Sequence, residues 1–113
     1  MAATPSPLGE FEQVVLLAIL RLGDDAYGVT IRHEIAQCTE REPAPGALYT
    51  TLDRLEEKGL VTSNYGDPTP ERGGRAKRCY RVTKPALEAL RASRRALINL
   101  WEGLEKSGSR VNG

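Results

Sequence analysis

The segment "PGALYTTLDRLEEKGLVTSNY", residues 45–65, contains a helix pattern followed directly by a strand pattern. Three leucines recur at helical spacing and predict a stripe that faces a core: Leu48, Leu52 and Leu55. Pro45 suits the first turn of this helix, where its missing N–H would be unpaired in any case. Gly59 predicts the end of the helix, and the β-branched and aromatic run "LVTSNY" then predicts a strand.

A long apolar helix is predicted near the amino terminus. Residues 8–23, "LGEFEQVVLLAILRLG", end at Gly23, a glycine that can adopt the left-handed stop. Apolar side chains run nearly all the way round this helix, which a half-exposed helix would not tolerate. We therefore expect one face to meet the core and another to meet a partner subunit, with Phe11 and Val15 at the subunit interface.

A second helix is predicted over residues 24–39, "DDAYGVTIRHEIAQCT". Asp24 and Asp25 precede the apolar pattern and are expected to cap the helix. Three residues fall on one apolar face at the spacing i, i+4, i+7: Ile31, Ile35 and Cys38. The breaker segment "EREPAPG" separates this helix from the one that begins near Pro45.

On the carboxy-terminal side, "RCYRVT" at residues 78–83 predicts a second strand. The turn-forming "GDPTPERGGRAK" joins it to "LVTSNY", so we expect a hairpin with a long tip. The sequence then returns to helix with "KPALEALRASRRALINLWEGLEK", in which Pro85 is allowed in the first turn.

The order helix, helix, helix, hairpin, helix is that of a winged helix-turn-helix, a mainly α fold with a small β-hairpin. With 113 residues the chain has the size of one domain. We expect a winged helix-turn-helix domain over residues 8–83, a carboxy-terminal dimerisation helix over 84–107, and flexible tails at 1–7 and 108–113.

In this architecture the third helix enters the major groove of DNA and the hairpin reaches the neighbouring backbone. The amino-terminal half of the third helix has small, neutral side chains, and its second half is acidic. This favours insertion by the amino-terminal end, where the helix dipole attracts phosphate. Thr50 and Thr51 are expected to touch bases, Tyr49 to reach phosphates, and Arg54 to make a direct base contact. The expected DNA-contacting residues outside the hairpin are Tyr27, Gly46, Ala47, Tyr49, Thr50, Thr51 and Arg54.

The hairpin tip concentrates basic residues, although the net charge is only +1, from 16 basic and 15 acidic side chains. The predicted phosphate-contacting tip consists of Arg72, Gly73, Gly74, Arg75, Lys77 and Arg78. The two glycines allow the loop to bend along a groove. Each basic residue that neutralises a phosphate steepens the log–log salt dependence of binding by ~0.9.

The last helix has an apolar stripe at heptad spacing, which Ile98 broadens: Leu87, Leu90, Leu97, Trp101 and Leu104. Such a stripe predicts packing against a second copy of the chain. Trp101 is the single tryptophan and is expected on this dimer face.

Three blocks within residues 8–91 carry a family resemblance: "LGEFEQVVLLAILRLGDDAYGVTI", "GALYTTLDRLEEKGLV", and "ERGGRAKRCYRVT" leading into "KPALEALR". In this order they resemble PadR-family transcriptional regulators of the short branch with one carboxy-terminal helix. The resemblance implies a homodimeric repressor that binds double-stranded DNA at a pseudo-palindromic operator and is released by a small-molecule effector. Some short relatives bind flat aromatic compounds between two tryptophans, which implies a pocket for a planar apolar effector at Trp101. Ala44 departs from the family, because relatives often place a capping serine or threonine there.

The cysteine content favours a reduced, cytoplasmic protein, since two cysteines without a CxxC spacing form no disulfide framework. The longest apolar run, Val14–Leu20, is too short to span a bilayer, so no membrane partner is expected. An alternative interpretation is a redox- or metal-responsive winged-helix sensor that acts through Cys79 and Cys38.

Enzymatic function is not expected. No phosphate-binding loop of the G-x-x-x-x-G-K-[ST] type is present, and the single histidine, His33, has no nucleophile and base around it. No cofactor is expected either. A winged helix that serves as a protein-interaction module is the other alternative, which the basic hairpin tip argues against.

Overall fold

Four α-helices and one two-stranded hairpin make up the computed structural model, which describes residues 8–66 and 77–104. In chain order the elements are α1 (Glu10–Leu22), α2 (Gly28–Thr39), α3 (Pro45–Glu57), β1 (Val61–Tyr65), β2 (Arg78–Val82) and α4 (Lys84–Trp101). This order confirms the predicted winged helix-turn-helix, mainly α with a small β-hairpin.

The core lies where α1, α2, α3 and the hairpin meet. Its largest fully buried side chains are Tyr80, Leu16, Ile19, Ile31, Ile35, Leu48, Leu52, Leu55, Val15 and Val61. The predicted leucine stripe of α3 is thus confirmed, and burial of each such side chain stabilises the fold by about 1.5–3 kcal/mol. The expectation that Val15 contacts a partner subunit is wrong, because Val15 is 0% exposed within its own domain. The large apolar side chains that α1 exposes are Leu17 and Leu20.

The end of α1 is confirmed, but the start of α2 differs from the prediction. Gly23 adopts φ +61° and opens a short 3-10 turn, and α2 begins only at Gly28. The chain is extended before α2 because the Ala26 carbonyl accepts a hydrogen bond from the Tyr80 N–H at 2.9 Å. Neither Asp24 nor Asp25 caps the helix; instead Thr30 Oγ1, in the first turn of α2, accepts from the Tyr27 N–H at 3.0 Å.

The hairpin is antiparallel and begins directly after α3. Gly59 adopts φ +75° and lets the chain turn from α3 into β1. Val61 pairs with Val82 at the base of the hairpin, and Tyr65 pairs with Arg78 at the far end of the described ladder. The predicted tip residues Arg72, Gly73, Gly74 and Arg75 lie outside the described residues.

Helix α4 packs on the domain only through its first two turns. Thr83 Oγ1 caps the helix by accepting from the Ala86 N–H at 3.4 Å, and Ala86 and Leu90 are buried. Beyond Leu90 every described residue except Ser93 is exposed. The helix ends at Trp101, earlier than predicted, because the chain leaves helical geometry at Glu102. Within the described ranges no helix is both long and apolar enough to cross a membrane.

Candidate nucleic-acid interface

The amino-terminal half of α3 presents a small, polar and accessible surface. Gly46, Ala47, Tyr49 and Thr50 are exposed, and so is Arg54 one turn later. No side chain caps the helix at Ala44, and its first backbone bond joins the Leu48 N–H to the Ala44 carbonyl at 3.1 Å. Among the described residues, the N–H groups of Gly46 and Ala47 therefore have no acceptor. Free N–H groups at a positive helix terminus are suited to a phosphate oxygen.

The expectation that Thr51 touches DNA bases is wrong. Thr51 is 7% exposed and lies on the same helix face as Leu48 and Leu55, three residues before it and four after it. Its side chain therefore packs in the core and is not available to DNA. The spacing that defines the leucine stripe also places Thr51 on that stripe, which is the sequence signal for its burial.

Tyr49 of α3 contacts the start of α2. A Cβ atom at Gly28 would lie 1.9 Å from Tyr49 Oη and 2.7 Å from Tyr49 Cζ. The tyrosine hydroxyl therefore rests on the Gly28 backbone at the start of α2, and a side chain at position 28 would require the Tyr49 ring to move. This contact joins the amino-terminal half of α3 to the preceding helix. It also leaves Tyr49 45% exposed, so that part of the ring remains accessible.

The base of the hairpin tip adds positive charge beside α2. Lys77 Nζ lies 4.0 Å from the centroid of the Tyr27 ring, within the range of a cation–π interaction. Tyr27 also forms a β-bridge with Cys79. The structure thus brings Lys77 next to Tyr27, two residues that the sequence placed on the same surface without a contact between them.

Arg78 differs from the prediction, since its guanidinium is engaged with groups of the protein. Glu56 Oε1 accepts from Arg78 Nη2 at 2.6 Å, Ser63 Oγ accepts from Nε at 3.1 Å, and Asp53 Oδ1 lies 3.7 Å from Nη1. Burial alone would lower the pKa of Arg78, but Tyr80 and Glu56 hold that pKa above its ordinary value. The prediction of Arg78 as a phosphate contact did not anticipate these partners, and we leave it out of the phosphate-contacting set.

Two polar side chains of the domain, Tyr80 and Glu12, are buried. Tyr80 is 1% exposed, its hydroxyl has no hydrogen-bond partner among the described residues, and burial raises the pKa of this phenol. Glu12 accepts from Lys58 Nζ and from the Gly9 N–H, at 2.9 and 2.8 Å. Burial would raise the pKa of Glu12, but these two donors outweigh it and lower the pKa below the ordinary value. The Glu12–Lys58 pair ties α1 to the end of α3.

A second surface lies between α1 and the exposed half of α4. It is an apolar groove of about 360 Å³ lined by Gln13, Leu17, Leu87, Leu90, Arg91, Arg94, Leu97, Ile98 and Trp101. Leu97, Ile98 and Trp101 are about half exposed in the single chain, and Leu104 is exposed just beyond the helix. The expectation that Leu90 belongs to the dimer face is wrong. Leu90 is only 5% exposed and lies in the domain core. Phe11 and Leu87 are half-buried, and Phe11 packs against the core.

The two cysteines lie on different elements. Cys38 is exposed, contrary to the expectation of a core position, and its Sγ is 3.5 Å from Glu34 Oε2. Glu34 in turn bonds Arg21 of α1, which lowers the pKa of Glu34. Cys79 is half-buried in β2. In the described part of the chain, no group of three or more potential metal ligands includes either cysteine.

Comparisons with known proteins agree with this architecture. A model of the family described as "Transcriptional regulator PadR-like family" matches residues 16–92. The chain is 38% identical over 77 residues to "Transcriptional regulator Rv3488" of Mycobacterium tuberculosis H37Rv, covering 68% of this chain and 67% of that protein.

Two solved structures of PadR-family transcriptional regulators share the fold. The regulator from Clostridium difficile R20291 is 26% identical, with a TM-score of 0.62 over 86% of this chain and 93% of that one. The regulator from Eggerthella lenta DSM 2243 is also 26% identical, with a TM-score of 0.61 over 83% of this chain and 82% of that one.

Proposed function

The chain belongs to the PadR-like family of transcriptional regulators, which are not enzymes, and from this premise we propose that it is a homodimeric, sequence-specific DNA-binding repressor in the cytoplasm. The single observation that carries the proposal is the exposed amino-terminal half of α3, where two N–H groups have no acceptor in the described part of the chain and Tyr49 contacts α2. A rigid, small and electropositive helix end is the shape that a DNA groove accepts.

The proposed contacts divide into two classes. Thr50 and Arg54 read base edges, while the N–H groups of Gly46 and Ala47 and the side chain of Tyr49 hold the phosphates that fix the register. Lys77 lies above Tyr27, and in the sequence it is preceded by two further basic residues, Arg72 and Arg75, with Gly73 and Gly74 between them. These basic residues supply affinity that does not depend on sequence.

The proposed dimer forms through the groove between α1 and α4. Half-exposed apolar side chains on both walls support this, since isolated soluble domains rarely expose contiguous apolar patches of this kind. In a twofold dimer the Leu97 and Trp101 faces of two chains pack together, and the operator is then pseudo-palindromic. A planar apolar effector that enters between the two Trp101 rings releases the DNA by changing the separation of the two domains.

Selection of bound duplexes from a random pool tests the function directly. We expect enrichment of a site with twofold symmetry and half-sites about 34 Å apart. Binding of random duplex should weaken steeply as salt rises, because released counterions drive it. Absence of binding at low salt, or binding indifferent to salt, would contradict the proposal and favour a protein-interaction module.

A further inference from the structure

One side chain connects the third helix with both strands of the hairpin. Arg78 on β2 donates from Nη2 to Glu56 Oε1 on α3 and from Nε to Ser63 Oγ on β1, at 2.6 and 3.1 Å. Ser63 Oγ donates in turn to Glu56 Oε2 at 2.9 Å. The three hydrogen bonds close a ring, which we call the wing–helix clamp (Glu56, Ser63 and Arg78).

The clamp is better fixed than an ordinary surface ion pair. The side chains of Arg78 and Glu56 are each 35% exposed, and two different nitrogens of Arg78 bond two different acceptors. Two guanidinium nitrogens and both carboxylate oxygens thus take part in the ring, and these charge-assisted bonds hold orientation as well as charge. The Arg78 guanidinium also lies 5.3 Å from the centroid of the Tyr80 ring, which fills the space beneath it.

The position of the clamp gives it control over the angle of the hairpin. The chain turns at Gly59, and the base of the ladder is the Val61–Val82 pair. Arg78 is paired with Tyr65 at the opposite end, on the side of the tip. Because a two-stranded hairpin has little stability of its own, a bond far from the pivot restrains its direction most effectively.

We propose that Arg78 is a positioning residue for DNA recognition: it holds the hairpin at the angle at which the tip meets phosphates while α3 lies in the groove. This inference rests on the proposed DNA-binding function. Since Glu56 and Asp53 surround the guanidinium, Arg78 contributes orientation instead of phosphate charge. Its loss should therefore reduce preference for the operator without changing the number of phosphates neutralised.

Two substitutions separate orientation from charge. Arg78→Lys keeps the positive charge, but a single ammonium cannot reproduce the fork that bonds Glu56 and Ser63 together. Glu56→Gln removes a negative charge near the DNA surface, which on charge alone should strengthen binding. Glu57→Gln is the matched control, because it makes the same change one residue along, at an exposed glutamate that has no ion pair among the described residues.

The experiment measures affinity for a selected operator and for a random duplex across a salt series, well below the thermal unfolding midpoint of each variant. We expect Arg78→Lys and Glu56→Gln to bind the operator about three- to tenfold more weakly, with an unchanged salt slope on random duplex. Glu57→Gln should bind as tightly as the unsubstituted protein or more tightly. The Arg78→Lys/Glu56→Gln double variant should lose little more than either single variant, because both break one ring.

The reverse pattern overturns the inference. If Arg78→Lys binds the operator normally and Glu56→Gln binds as Glu57→Gln does, Arg78 does not position the hairpin. A drop of about 0.9 in the salt slope for Arg78→Met, alongside a normal slope for Arg78→Lys, would identify a phosphate contact instead. Failure of the unsubstituted protein to bind any duplex at low salt would overturn the proposed function itself, before any variant is compared.

Discussion

Tyr49 Oη lies over Gly28 so closely that a methyl group at that glycine would stand 1.9 Å away. We expect Gly28→Ala to displace the half-exposed Tyr49 ring from α2 and to lower the free energy of unfolding by about 1 kcal/mol, the lower end of the usual cost of overpacking. Thermal or denaturant unfolding measures this, and operator binding should fall with it.

Gly46→Ala is the control for this substitution. A Cβ at Gly46 meets nothing within 4 Å, so alanine should stabilise the helix by about 0.5–1 kcal/mol. Opposite signs for the two variants are expected. Equal stability of Gly28→Ala and the unsubstituted protein would show that α2 and α3 are not held by this contact.

The hairpin should control salt dependence and α3 should control sequence preference. Arg75→Ala and Lys77→Ala should each reduce the log–log salt slope by about 0.9 and weaken all sequences alike. Thr50→Ala should leave the slope unchanged and alter the selected sequence. Arg95→Ala, at an exposed position in the outer half of α4, is the control. If instead Thr50→Ala changes the salt slope and the hairpin variants change the selected sequence, the two roles have been assigned the wrong way round.

Glu12 should make the free energy of unfolding depend on pH in the acidic range. Its folded-state pKa is lowered, so the stability it contributes is present above the unfolded value of about 4.3 and is lost as pH falls through the folded value. Glu12→Gln should cost about 1–3 kcal/mol at neutral pH, and this difference should shrink as the pH falls below the unfolded value. Glu10→Gln, which alters an exposed pair with Arg41, should change little at either pH.

The groove between α1 and α4 should determine the oligomeric state. Leu97→Asp places a charge on the apolar wall and is expected to give monomers in sedimentation experiments. Leu100→Asp is the control, since Leu100 is 73% exposed on the same helix and does not line the groove. Monomers from both variants, or dimers from both, would place the interface elsewhere.

The unpartnered Tyr80 hydroxyl should be dispensable for stability. Tyr80→Phe removes a buried polar group that has no partner among the described residues, so the free energy of unfolding should rise by about 1 kcal/mol. Tyr65→Phe changes the same group at an exposed position and should have no effect. A loss of stability in Tyr80→Phe would indicate that this hydroxyl is bonded.

Local patterns predicted most of the fold, and non-local contacts account for most of the errors. The leucine stripe of α3 and the two strands follow from spacing and composition within a few residues. The start of α2 does not, because the Ala26 carbonyl bonds the Tyr80 N–H, more than fifty residues away. The partners of Arg78 could not be read from the sequence for the same reason, since the hairpin register and the turn at Gly59 together bring Ser63 and Glu56 to it.

Beyond Leu90, every described residue of α4 except Ser93 is exposed, so the domain core does not fix the length of this helix. In the proposed dimer this free stretch acts as a spacer between the two DNA-reading domains. Inserting one heptad after Leu90 would keep the apolar face aligned and move each domain by about 10 Å, the rise of two helical turns. Because both domains move, their separation changes by up to about 20 Å, which at about 3.4 Å per base pair corresponds to up to about six base pairs of half-site spacing. Related regulators could therefore acquire new operators by changing the length of one helix, with the recognition surface left intact.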